Sequence, residues 1–160
     1  QFLHAKVMLV VALSVVATVY LFLLGLIFGK ANSGSFTNLF TNFEQVGYFF
    51  ILSLDYLGFG LLLAIVIKRS GLAIGLFLLY SMIIENIAKS LINVKLDKPY
   101  GNLLPLQASD ELLPFPLIQL AKSLIQSGPT ISMNTYALVA ALWCVIYYIL
   151  ARQFLTRNDW

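Results

Sequence analysis

The chain has 160 residues, 60% of them hydrophobic and only 11% charged, and its mean hydropathy is +0.88. A soluble domain carries about 25% charged residues, so this composition excludes an ordinary water-soluble fold. The net charge of +3 comes from ten dispersed basic residues rather than a patch, which argues against a nucleic-acid partner.

Four apolar stretches follow in chain order: Val7–Phe28, Val46–Ile67, Gly71–Ala88 and Met133–Ala151. Each is close to the ~20 residues that a helix needs to cross ~30 Å of hydrocarbon. The first and last hold no charged residue, the second only Asp55, the third only Glu85. The expected fold is all-α: one transmembrane domain over residues 1–160, a polytopic bundle of four spans with short external amphipathic or re-entrant helices. The first stretch is longer than a signal-peptide core, and three more spans follow it.

The connections differ sharply. Gly29–Gln45 is polar, and Lys68-Arg69-Ser70 is a minimal hairpin. Lys89–Ser132 is long and contains all five prolines. Lys68 and Arg69, beside two short span flanks, place the hairpin and both chain ends in the cytoplasm and the long loop outside. Within that loop, Leu117–Gln126 reads as an amphipathic helix. Leu117, Ile118, Leu120, Ala121, Leu124 and Ile125 fill one arc, and Gln119, Lys122, Ser123 and Gln126 the other. Leu103–Leu113 is expected to form a second short helix.

Asp55 lies thirteen residues before Lys68 and Glu85 fourteen after Gly71. Both therefore stand ~20 Å from the hairpin at ~1.5 Å per residue. A charge at that depth is costly and must face protein or water. Three roles remain open. Asp55 bonds Ser14, Thr18 or Tyr20 while Glu85 pairs with Lys89 one turn on; or both acids line a polar substrate cavity; or they share a proton in a relay. A helical wheel puts Gly71, Gly75, Leu78, Met82, Glu85 and Lys89 on one side of the third span, a small-residue face expected to pack against another helix. Gly58 and Gly60 permit similar packing in the second span.

Catalytic chemistry is poorly provided for. No phosphate-cradling Gly-rich loop with Lys-Ser/Thr occurs, so the chain does not itself bind ATP in that way. His4 is the single histidine and Cys144 the single cysteine, so no His or Cys metal set can be assembled. Asp55 and Glu85 form a carboxylate pair, but the sequence motifs of intramembrane aspartyl proteases are missing. The chain is expected to be no enzyme and to carry no cofactor.

The stretch Ile67-Lys-Arg-Ser-Gly-Leu-Ala-Ile-Gly-Leu-Phe-Leu-Leu-Tyr80, followed by Glu85, resembles permease subunits of type-two ATP-binding-cassette transporters of Bacteroidetes-like bacteria. So does Asn102-Leu-Leu-Pro-Leu-Gln-Ala-Ser-Asp110 leading into Leu113-Pro-Phe-Pro116. The resemblance covers essentially the whole chain. It implies spans three to six of a six-span permease in a bacterial inner membrane, with the C-terminus cytoplasmic. Lys68-Arg69 falls at the short cytoplasmic hairpin, and Leu117–Gln126 in the external re-entrant region. Two N-terminal spans and a coupling helix of that pattern are missing here, so a C-terminal fragment is expected. The implied partners are an ATPase subunit that binds ATP and magnesium, a second permease copy or homologue, and the lipid bilayer. A non-transporting membrane scaffold, or a proton-coupled transporter using Asp55 and Glu85, are the competing expectations.

Overall fold

The computed structural model describes residues 2–33, 43–113 and 131–157. Every regular element among them is helical. In chain order these are α1 (Phe2–Ser33), α2 (Glu44–Val66), α3 (Ser70–Leu79), a π-helical turn (Tyr80–Ile84), α4 (Glu85–Leu96), a 3-10 turn (Pro99–Leu103), α5 (Gln107–Asp110) and α6 (Met133–Arg157). Since α3, the π turn and α4 are continuous, four helices are long and apolar enough to cross a membrane: Leu3–Lys30, Glu44–Val66, Ser70–Leu96 and Met133–Thr156. The amphipathic stretch Leu117–Gln126 lies outside the described residues.

Local chemistry sets the boundaries. The link between α2 and α3 is tight because Ile67 and Arg69 are both extended, which reverses the chain across the Lys68-Arg69 corner. The third rod runs eight residues beyond its expected end at Ala88, to Leu96. It stops where Asp97 turns left-handed (φ 48°), a conformation that Asp tolerates better than most residues. Lys98 is then extended (φ −144°, ψ 150°), as the residue before a proline must be. Pro99 opens the 3-10 turn.

The π turn changes which residues share a face. Ala73 and Phe77 point into the bundle. At about 100° per residue, Glu85 would stand about 80° away from Phe77, beside Leu78 and Met82. The extra residue that a π turn inserts rotates everything after it back by about 100°. Glu85 therefore falls in line with Phe77 and is 1% exposed, while Leu78 and Met82 remain 50% and 70% exposed. The expected common face of Gly71, Gly75 and Glu85 is thus divided. Nothing lies within 4 Å of a Cβ built on Gly71 or Gly75, whereas Gly58 meets the Tyr147 ring at 3.5 Å as a packing glycine should. The Asn86 side chain donates to the Ser81 and Met82 carbonyls (3.2 and 3.0 Å) alongside the turn.

The centre of the bundle is α2, which packs against α1, α3, α5 and α6. Two apolar clusters fill it. One joins Ala108 and Leu112 to Tyr136 and Ala140 of α6. The other joins Leu106 to Phe59 and Tyr147. The Phe59 ring lies 4.8 Å from Tyr80, 5.5 Å from Tyr147 and 6.0 Å from Phe77, separations typical of favourable aromatic pairs. Both clusters contain residues of the 106–112 segment. This part of the loop, expected as a short external helix over Leu103–Leu113, is instead a 3-10 turn and a single helical turn that supply part of the core.

Candidate functional site

Two inward helix positions create the site. Asp55 stands one turn before Phe59 on the buried stripe of α2, and the π turn brings Glu85 inward on α4. Asp55 is 0% and Glu85 1% exposed. The Pro99–Leu112 segment enters between the helices and meets both.

Glu85 Oε1 accepts hydrogen bonds from the backbone N–H groups of Leu106 (2.7 Å) and Gln107 (3.3 Å). Asp55 Oδ2 lies 2.8 Å from the Ser109 hydroxyl, and Asp55 Oδ1 lies 3.8 Å from the Cys144 thiol. The two acids thus hold the start and the end of one turn, three residues apart. This replaces the expected partners. Ser14 bonds back to the Val10 carbonyl (3.0 Å) and Thr18 to the Ser14 carbonyl (2.7 Å), the local alternative that hydroxyls take in helices, and Tyr20 is exposed. Lys89, the partner expected for Glu85, instead makes its hydrogen bonds to Glu111 Oε1 and Gln107 Oε1, both at 2.8 Å.

Further polar groups grip the same segment. Tyr56 donates to Asp110 Oδ1 (2.7 Å), and the Trp143 indole N–H donates to the Leu103 carbonyl (3.1 Å). The Gln107 amide donates to Asn86 Oδ1 (3.2 Å). Asn93 Oδ1 accepts from the Gly101 N–H (2.7 Å), and Asn93 Nδ2 donates to Asn102 Oδ1 (3.2 Å). Asn102 in turn donates to the Tyr136 hydroxyl (3.3 Å). Buried backbone outside regular structure must find such partners. The polar side chains of α2, α4 and α6 supply them. Two buried polar atoms, Glu85 Oε2 and the Tyr147 hydroxyl, have no protein partner among the described residues.

The sequence reading found Asp55 and Glu85 but not Ser109, Gln107, Tyr56 or Asp110. One signal was present: Glu85, Lys89 and Asn93 recur every four residues. That is a polar helical stripe running past the expected end of the span, and it needs polar partners. Lys68 and Arg69 lie at the far end of the α2–α3 rods, apart from this site.

Outside the apolar helices, the ionisation of Asp110 is shifted by its surroundings. Burial pushes its carboxyl above the usual carboxylate range, while the Tyr56 hydrogen bond and Lys89 oppose this and Glu111 reinforces it. A carboxyl raised in the folded state favours that state when protonated, so its contribution is present in acid and is lost as pH rises above the unfolded value of 3.8. The thermal midpoint of the wild type should therefore fall more steeply as pH rises above 3.8 than that of Asp110→Asn, which keeps an oxygen for Tyr56. Equal slopes in a detergent melting series would refute this.

An open apolar groove of about 550 Å³ lies between α1 and α2, lined by Leu21, Phe22, Gly25, Phe43, Val46 and Phe49 among others. It contains neither acid. Among the described residues no group of three His, Cys, Asp or Glu side chains is placed to hold a metal. No protein-family model, no curated protein and no solved structure matches this chain.

Proposed function

We propose that the chain is the membrane-spanning part of a permease subunit of an ATP-driven transporter of the type-two ATP-binding-cassette class. It is multi-pass in a bacterial inner membrane, with its C-terminus and the Lys68-Arg69 hairpin in the cytoplasm. The substrate path forms between this chain and a second permease half. A separate ATPase subunit binds ATP and magnesium and drives the cycle.

The observation that carries this reading is the clamped segment. An otherwise apolar bundle uses Asp55 and Tyr56 of α2 and Glu85, Asn86, Lys89 and Asn93 of α4 to hold irregular backbone between its helices. That segment, from Asn102 to Asp110, is one of the two stretches that resemble such permeases. Irregular backbone at membrane depth is tolerated only where protein or a cavity satisfies it, and transport proteins build such regions. The remaining surface fits lipid. In the most apolar window of each long helix, only 6% to 17% of residues are buried, a ratio that water would not support.

The test is co-purification. Tagged protein extracted in mild detergent should bring down a stoichiometric ATPase bearing a phosphate-binding loop, identified by mass spectrometry. Intact, monodisperse protein without such a partner would overturn the reading in favour of a non-transporting scaffold.

A further inference from the structure

Ser109 is fully buried, and its hydroxyl has one proton to give. Its Oγ stands 2.8 Å from Asp55 Oδ2 and also 2.8 Å from the Leu106 carbonyl oxygen. If Asp55 is a carboxylate, both neighbours are acceptors and one proton must serve two contacts. The contact left without it would set two lone pairs against each other at hydrogen-bond distance, away from water, which is costly. The count closes when the carboxyl supplies the second proton. Asp55 then donates to Ser109 Oγ, and Ser109 donates to Leu106.

The surroundings agree. The other group near the Asp55 oxygens is the weakly donating Cys144 thiol, at 3.8 Å. The groups facing this pair are Tyr56 from its own helix, Glu85 and Tyr80 from the third rod, Asp110 from the segment, and Cys144 and Tyr147 from α6. None of these is a cation, and the ammonium of Lys89 is engaged by Glu111 and Gln107. Glu85 differs, because it only accepts, from two N–H groups, and no contact requires a proton on it.

We propose that Asp55 is a proton-binding site: a neutral carboxylic acid whose proton completes the Asp55–Ser109–Leu106 chain and so holds the segment between α2 and α6. The proton is the ligand, and the docked turn is what it secures. This inference stands on geometry within the chain and does not depend on the ATPase partner.

Two measurements on the purified protein test it. The infrared spectrum at neutral pH should contain a carboxylic-acid C=O band that shifts in D2O. Asp55→Asn should remove intensity from this band that Glu85→Gln and Asp110→Asn leave in place. Absence of the band from the wild type, or undiminished intensity in Asp55→Asn, overturns the assignment. Amide hydrogen exchange of residues 106–112 tests the latch. Asp55→Asn presents an N–H donor to Ser109 and should hold the segment near its wild-type protection. Asp55→Val presents none, and protection should fall about tenfold or more. Equal loss in both variants, or no loss in Asp55→Val, overturns the latch.

Discussion

Gly101→Ala is expected to unseat the Pro99–Leu112 segment. A Cβ at that position would stand 2.5 Å from the Lys89 carbonyl oxygen, 2.8 Å from Lys89 Cα and 2.8 Å from Asn93 Oδ1. Two of these three atoms belong to the α4 backbone, so no side-chain rotation relieves the clash. The turn must move off the helix, and the Gly101 N–H then leaves Asn93 Oδ1, now 2.7 Å away. Overpacking of this kind costs roughly 1–3 kcal/mol, and the lost hydrogen bond adds about 1 kcal/mol. Against a total stability of ~5–15 kcal/mol, the melting temperature in detergent should drop by several degrees, with faster amide exchange across residues 99–112. A Gly101→Ala protein that melts with the wild type would mean that the segment does not seat against α4. The matched controls are Gly71→Ala and Gly75→Ala. A Cβ at either meets nothing within 4 Å, so the purified chain should be unchanged or gain up to about 1 kcal/mol from the better helix former. Loss of assembly in these two variants, with stability intact, would place a partner helix on that face.

The second large effect is expected at Glu85. Removing the carboxyl in Glu85→Ala leaves the Leu106 and Gln107 N–H groups buried without an acceptor, and it opens a cavity beside the aromatic cluster. Each stranded donor costs roughly 1–3 kcal/mol, so a loss of roughly 2–6 kcal/mol should result from the two. Glu85→Gln keeps an oxygen for Leu106 and should lose markedly less. Combining Glu85→Ala with Gly101→Ala separates the causes. Both release the same segment, so the double variant should cost less than the two singles together. Full additivity would show that Glu85 stabilises something other than the docked segment. Because the Lys89–Glu111 pair is partly exposed, at 25% and 11%, breaking it should matter much less than either change.

Several features of this protein can be read from composition and periodicity. Four apolar runs became four long helices, because a helix satisfies its own backbone whatever surrounds it. The short Lys68-Arg69 corner followed from there being no residues to build anything longer. That Asp55 and Glu85 are buried and partnered followed from the expense of leaving either in an apolar setting. Their partners did not follow. Ser109 is 54 residues from Asp55, and Leu106 is 21 from Glu85; no helical period links positions so far apart.

The face shared by Glu85 and Phe77 was also hidden, because a wheel at constant pitch cannot anticipate one inserted residue. Tyr80–Ile84 contains no proline or glycine to announce a break. Tertiary contact selects the π turn: the third rod must present Phe77 to the aromatic cluster and Glu85 to the Leu106 N–H at once, and only a local change of pitch allows both. Residues 99–112 of the long loop turn inward for a related reason. Its Gln107-Ala-Ser-Asp110 stretch is small and polar enough to fit between α2, α4 and α6, and it meets the polar groups those helices cannot leave unpaired. Sequence alone determined that this chain is a set of apolar helices with a few polar groups to satisfy. The tertiary structure decided which groups satisfy one another, because hydrogen bonding and packing between distant segments are settled only when the segments meet.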